Sequence, residues 1–171
     1  MNKALILDRD GIINIDRGTY TWRQEDWKWN PGIFELVKTA KERGYQIAVA
    51  TNQAGIARGR YNHEDVEAIH AFMREGFASH GIEIPHIFYC PHYPAVNGKC
   101  LCRKPGHLNI QKALAVLNAD PALSFMIGDN ETDMIAGKKA GCATVLIGGK
   151  ESEYADVCLG GLGEFQTIKF S

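Results

Sequence analysis

The chain of 171 residues carries 19 lysines and arginines against 20 aspartates and glutamates, for a net charge of −1. That balance provides no basic footprint for nucleic acid or an anionic membrane, and no apolar run reaches the length that crosses a bilayer, so the expected partner is a small soluble substrate. The length fits a single domain, 1–171, with enough chain to bury a core. Met1-Asn2-Lys3 leads straight into a strand-like run without a secretory apolar segment, so a cytoplasmic monomer is expected.

Lys3 to Leu7 reads as the first strand, apolar on both faces as in a parallel sheet. It stops on Asp8-Arg9-Asp10-Gly11. Side chains two apart on a strand share a side, so both carboxylates are offered together at the C-terminal edge, where open α/β sheets bind ligands. Two like charges this close call for a shared proton or a divalent cation between them. From Gly11 to Trp29 no helical period appears, which predicts an irregular flap with some extended structure. Its aromatics could cover a site, while the alternation of Trp27 and Trp29 suits capping of the core edge.

Asn30-Pro31-Gly32 provides a cap residue and a proline for the first helical position. Ile33, Phe34, Leu36, Val37 and Ala40 form the apolar stripe of a helix ending at Gly44. Tyr45 to Ala50 is the second strand, running into Thr51-Asn52-Gln53-Ala54-Gly55-Ile56-Ala57-Arg58-Gly59. Asn62 caps a long helix through Ser79 that Gly81 stops, with His70 in the core and His63 and His80 at the surface. Ile84 to Tyr89 is the third strand.

It delivers Cys90-Pro91-His92, a turn containing Asn97-Gly98, and Cys100-Leu101-Cys102. Cys-x-His and Cys-x-Cys pairs at this spacing bring three thiolates and one imidazole within reach of one tetrahedral ion, and a full set of four protein ligands makes that zinc structural. The loop so held is expected to have no secondary structure of its own. A chance cluster of buried thiols is the competing account. Arg103 and Lys104 follow at once, so their placement is inherited from the metal loop. A helix from about His107 to Leu117, a strand from Leu123 to Ile127, Asp129 and Asp133 at the mouth of another helix, a strand from Ala143 to Ile147 and a short one from Ala155 to Leu159 complete the pattern. No final helix is evident in the tail to Ser171.

Strands alternating with helices predict an α/β, Rossmann-like three-layer sandwich with a mostly parallel sheet, no large cap domain and a zinc-stapled loop. All strand C-termini then face one crevice, which collects Asp8, Asp10, Thr51, Asn52, Lys104, Asp129 and Asp133. Carboxylates with waters suit Mg²⁺, whereas Lys104 and the Thr51 hydroxyl suit phosphate oxygens. Asp8 is placed to attack phosphorus and form an aspartyl phosphate, and Asp10 to carry the proton.

Asp8-Arg9-Asp10-Gly11, Thr51-Asn52-Gln53, Lys104 and Gly128-Asp129-x-x-x-Asp133 resemble the four motifs of the haloacid dehalogenase superfamily of phosphatases. Together with the Cys-Pro-His…Cys-x-Cys-Arg-Lys-Pro loop, they are similar to the D-glycero-D-manno-heptose-1,7-bisphosphate 7-phosphatases and the related histidinol-phosphate phosphatases. The resemblance implies a Mg²⁺-dependent hydrolase that removes the 7-phosphate of the bisphosphate. It implies that Asp8 is the nucleophile, that Asp10 is the acid and base, and that Asp8, Asp10 and Asp129 hold Mg²⁺ with Asp133 behind them. Thr51, Asn52, Gln53, Ala54 and Lys104 would bind phosphate, Arg103 would recognise substrate, and Asp16, Arg17, Gly18 and Thr19 would touch the sugar. Ile12 stands where the superfamily usually has threonine. Two rivals remain: histidinol-phosphate hydrolysis, and a zinc-loop binding module with an inactive site.

Overall fold

The computed structural model describes residues 2–168. Six strands, β1 (Lys3–Leu7), β2 (Tyr45–Asn52), β3 (His86–Cys90), β4 (Phe125–Gly128), β5 (Ala143–Ile147) and β6 (Val157–Leu159), form one sheet in the order β3-β2-β1-β4-β5-β6. Every neighbouring pair is parallel, with Leu7 opposite Val49 on one side of β1 and Ile127 on the other. Parallel strands need long crossovers, and these put helices on both faces.

Alternate residues of β1 feed two cores. Leu5 and Leu7 pack with Ile33, Leu36 and Val37 of α1 (Ile33–Glu42) and with Ile69, Met73 and Phe77 of α2 (His63–Ala78). Ala4 and Ile6 pack with Ile110, Ala113 and Leu114 of α4 (Leu108–Val116) and Ala136 of α5 (Glu131–Ala140). Ile12 is wholly buried in the first of these cores, so its side chain contributes to packing there.

Several boundaries differ from the sequence expectation for local reasons. Asn30 does not cap α1: Gly32 does, in the left-handed region at φ 87°, while the Asn30 side chain donates to the Gly11 carbonyl at 3.0 Å. The start of α1 is thereby tied to the loop after β1. Asn62 does cap α2, in a reciprocal pair with Asp65. β3 starts two residues later than expected because Pro85 has no N–H for a ladder. β4 starts at Phe125 because Pro121–Leu123 forms a 3₁₀ turn capped by Asp120. The zinc-type loop, expected to be irregular, contains one helical turn, α3 (Pro94–Asn97), nucleated by Pro94 at its first position and closed by Gly98. Near the end, Leu162–Thr167 forms a 3₁₀ helix where none was expected, buried through Leu162 and Phe165; the remainder of that tail, 169–171, lies outside the described residues.

The flap from Gly11 to Trp29 is pinned at its base by an antiparallel pair, with Ile15 N–H donating to Lys28 O at 2.8 Å and Asn30 N–H to Ile13 O at 2.9 Å. Trp27 is buried against Trp29 and Phe72 at the core edge, whereas Tyr20 and Trp22 lie against Tyr61. No helix of the described residues is long and apolar enough to cross a membrane.

Candidate active site

From β1 the chain crosses to β2 on one side, and from β3 it returns to β4 on the other, so the C-terminal ends of β1 and β4 flank the crevice where strand order reverses. Asp8 follows β1 and Asp129 follows β4. The Asp8 N–H continues the ladder to Ile127 O at 2.9 Å, which fixes the direction in which its carboxylate leaves the sheet. Lys104 reaches in from the loop before α4. Its Nζ lies 2.7 Å from Asp8 Oδ1 and 2.6 Å from Asp133 Oδ1, and donates to Ala50 O at 2.9 Å.

Asp133 sits in the first turn of α5, where its second oxygen accepts the Asn130 N–H at 3.1 Å. Carboxylate oxygens of Asp8, Asp129 and Asp133 all come within 4.8 Å of one another. Gly11, at φ 91°, makes room for this: a Cβ there would stand 2.2 Å from Asp129 Oδ2.

Three carboxylates around one ammonium leave a surplus of negative charge in a buried place. Burial, reinforced by Asp133 and Asp10 against the pull of Lys104, raises Asp8 to about 8. Burial and the Asp133 charge raise Asp129 to about 6. Burial alone would lower the Lys104 ammonium, but Asp133 and Asp8 outweigh it and hold it above its usual value. A divalent, oxygen-seeking cation is what this donor set fits.

Asp10 lives in a different environment. Its carboxylate accepts from Arg9 Nη2 at 2.9 and 3.0 Å, from Asn14 Nδ2 at 2.9 Å and from Gln53 Nε2 at 3.0 Å. Burial would raise it, but the Arg9 charge and these hydrogen bonds prevail and lower it. The oxygens that gather beside Asp8 therefore come from Asp129 and Asp133, with the Asp10 carboxylate turned toward its own donors.

Arg9 is 1% exposed and also donates to Thr21 O in the flap at 2.7 Å, so one buried guanidinium ties Asp10 to the flap. His70 touches it at 3.3 Å and, as expected, is a core residue; burial and the Arg9 charge push it down to about 3.

The second strand end divides its labour. Gln53 spends both ends of its amide inside the protein: Nε2 serves Asp10 and the Thr51 hydroxyl at 3.0 Å, and Oε1 accepts from Tyr61 at 2.7 Å. Its side chain thus orients Asp10. Asn52 clamps Lys104 by its backbone, accepting from the Lys104 N–H at 3.0 Å and donating to its carbonyl at 3.3 Å. Lys104 is therefore held from β2 as well as by the metal loop. Ala54 is buried.

Of the flap residues, Asp16, Gly18 and Thr19 line a cleft of about 540 Å³ together with Asp10, Tyr20, Asn52, Arg58 and Arg60. Arg17 turns away to pair with Asp26 at 2.9 Å. Arg103 leans toward His92 O at 3.5 Å and the Tyr93 ring, outside the residues that line this cleft. Sequence reasoning missed Arg9, Arg58, Arg60 and Tyr61. The two arginines straddling Gly59 beyond a strand end were a readable signal, whereas the Tyr61 contact depends on the fold.

Cys90, His92, Cys100 and Cys102 converge as expected. Cys102 Sγ lies 3.1 Å from Cys90 Sγ and 3.6 Å from Cys100 Sγ, Cys90 and Cys100 are 3.6 Å apart, and His92 Nδ1 is 3.4 and 3.3 Å from Cys90 and Cys102. A zinc–sulfur bond of about 2.3 Å gives a tetrahedron with edges of about 3.8 Å, so the 3.6 Å edges need to open by about 0.2 Å and the 3.1 Å Cys90–Cys102 edge by about 0.7 Å to take the ion.

The HAD-hydrolase-like family model matches residues 101–157. A D-glycero-β-D-manno-heptose-1,7-bisphosphate 7-phosphatase of Helicobacter pylori is 46% identical over 81% of this chain and 79% of its own. A D-glycero-α-D-manno-heptose-1,7-bisphosphate 7-phosphatase of Campylobacter jejuni is 41% identical over 90% and 87%. A D,D-heptose 1,7-bisphosphate phosphatase of B. bronchiseptica, solved with magnesium and phosphate, superposes with a TM-score of 0.82 at 31% identity, covering 92% of each chain. With identities of 46% and 41% to such phosphatases over most of its length, the chain belongs to the haloacid dehalogenase-like phosphatases, in the family of the heptose-1,7-bisphosphate 7-phosphatases.

Proposed function

We propose that this phosphatase removes the 7-phosphate of D-glycero-D-manno-heptose 1,7-bisphosphate, with Asp8 as nucleophile and Asp10 as proton carrier. The observation that carries the reading is the placement of these two carboxylates, Asp8 at 2.7 Å from Lys104 and within reach of Asp129 and Asp133, and Asp10 turned toward Arg9, Asn14 and Gln53. Asp8 and Asp129 would hold Mg²⁺, with Asp133 anchoring Lys104 behind them. Asp10, its carboxylate engaged elsewhere, has its main-chain oxygen to offer. When bound, Mg²⁺ neutralises carboxylate against phosphate and polarises the phosphoryl oxygens.

The steps of the chain's own residues follow from their geometry. Lys104 aims Asp8 and pulls it toward its ionised form against burial, and it stabilises charge on the equatorial phosphate oxygens together with the Thr51 hydroxyl. Asp8 attacks phosphorus as the alkoxide of the sugar leaves. In the resting protein Asp10 is an ionised base; a phosphate dianion arriving beside it places like charge against it and raises it, so Asp10 takes a proton as substrate binds and gives it to the leaving oxygen. Left as carboxylate, it then draws a proton from the water that cleaves the aspartyl phosphate.

In the zinc-type loop, Cys90, His92, Cys100 and Cys102 would hold a structural ion, since all four positions are filled by protein. The cleft beyond Asp10 carries two arginines, which oppose the cationic amine of histidinol phosphate and suit a second phosphate. Phosphorus NMR of the heptose bisphosphate incubated with enzyme and Mg²⁺ tests the reading. Loss of the 7-phosphate signal with the 1-phosphate retained, and no loss in EDTA, is expected. Faster hydrolysis of histidinol phosphate, or loss of the 1-phosphate first, would overturn it.

A further inference from the structure

The flap residue Asp16 stands between two clefts that meet at the catalytic carboxylates. One, of about 480 Å³, is lined by Gly11, Asp129, Gly160, Gly161 and Gly163. Its single cation, Lys150, already donates to Asp129 O at 3.3 Å. The other, of about 540 Å³, starts at Asp10 and Asn52 and ends at Arg58 and Arg60. Neither arginine pairs with a carboxylate among the described residues. Asp10, which lines the same cleft, is already matched by Arg9.

Arg58 is nevertheless aimed. Its Nη1 donates to the Tyr20 hydroxyl at 2.8 Å and its guanidinium lies 4.9 Å from the centre of the Tyr93 ring, so a flap residue and a residue of the metal loop hold it from two sides. Two exposed, unpaired guanidinium groups on one wall of a cleft whose floor holds the proton carrier form a receptor for an anion attached to the leaving group.

We propose that Arg58 and Arg60 bind the second phosphate of the substrate while the first lies at Asp8. Arg58 takes it in an orientation set by Tyr20 and Tyr93, and Arg60 adds charge at the rim. This assignment rests on the reading of the substrate as a sugar bisphosphate. It makes Arg58 and Arg60 the residues that tell bisphosphates from monophosphates, with Arg103 supporting the wall through Tyr93.

The test measures kcat/KM for heptose 1,7-bisphosphate and heptose 7-phosphate, and for two other sugar bisphosphates with their matched monophosphates. Wild type is compared with R58A, R58K, R60Q, Y20F, R103A and K150A. Wild type is expected to prefer a bisphosphate over its monophosphate. The preference should fall by about tenfold in R60Q and by about tenfold or more in R58A, the scale of hydrogen bonds to charged groups. It should recover partly in R58K, which keeps the charge without the fork. Y20F, which removes only the hydroxyl that orients Arg58, should cost a few-fold.

R60Q is the cleanest variant, because no described residue makes a side-chain hydrogen bond or ion pair with Arg60. A preference unchanged in R58A and R60Q, or lost instead in R103A or K150A, overturns the proposal, as does a wild type without preference for any bisphosphate. A wild type that prefers a bisphosphate other than the heptose, through the same two arginines, supports the receptor and overturns the heptose reading alone.

Discussion

The two clusters that suit metal ions are built in opposite ways. Asp8, Asp129 and Asp133 come from two strand ends and a helix start that are distant in sequence, and their charges oppose one another around Lys104. Cys90, His92, Cys100 and Cys102 come from one short loop and close a complete coordination set. The first keeps room for substrate at a cost in repulsion; the second would leave no open position on an ion it held, and would act as a staple. The contrast teaches that chemistry is placed where the fold supports strain, while positioning is delegated to a site that can be saturated.

The largest expected break falls on the carboxylate side. Asp8→Asn removes the nucleophile, so kcat should fall by about 10⁴-fold or more while thermal unfolding shows an intact fold. Activity within tenfold of wild type would show that another group attacks phosphorus. Asp10→Asn comes next, by about 10²–10⁴-fold with poor leaving groups and less with a nitrophenolate, because only a basic leaving oxygen needs the proton.

On the loop side the effect should be smaller and shared. Cys102→Ser loosens the segment that carries Lys104, and an ångström of misplacement costs on the order of 10²-fold in kcat. Yet Asn52 also grips Lys104 by both backbone groups. Cys102→Ser and Asn52→Ala together should therefore lose more than the product of the single losses, which a double-mutant cycle in kcat measures. Simple multiplication would mean that the two anchors act independently.

The smallest effect is on stability, and its sign separates the two clusters. Asp129 is raised from 3.8 to about 6 by burial and then by Asp133. A carboxyl raised in the folded state costs nothing below its unfolded value and weakens the fold increasingly as pH climbs through about 6. In Mg²⁺-free protein at pH ~8, Asp129→Asn should raise the unfolding free energy read from urea titration by on the order of 1 kcal/mol, a figure reduced for the partial exposure of Asp129. Near pH ~4 the gain should vanish, and with Mg²⁺ it should reverse as the variant loses a ligand. Removing a loop ligand such as Cys100 should never stabilise.

These differences also explain what could be read in advance. The parallel sheet, the strand-end aspartates and the Cys₃His loop were legible because each rests on local periodicity or spacing within a few residues. Lys104 was legible by its place after the loop, but its second anchor, Asn52, was not, since that clamp spans the β2–α2–β3 crossover and the whole Cys/His loop. Gln53 was read as a phosphate ligand from the resemblance of Thr51-Asn52-Gln53 to the superfamily's motif. Its commitment to Asp10 depends on Tyr61 folding back over Gly55, where a Cβ would stand 2.1 Å from the tyrosine ring, a tertiary fact with no local signal. Arg9 and Arg58 lay inside stretches already singled out, yet only the closed structure shows one buried beneath Asp10 and the other held between flap and loop.

The central claim is that the two neighbouring aspartates divide the work, Asp8 taking the phosphoryl group and Asp10 the proton. Acid-quenching the enzyme during turnover, reducing any acyl phosphate with borohydride and mapping the modified residue by peptide mass tests it most directly. The account predicts reduction at Asp8 alone, absent from Asp8→Asn and dependent on Mg²⁺. Modification at Asp10, or turnover with no modified aspartate at any quench time in the slow Asp10→Asn enzyme, would contradict it.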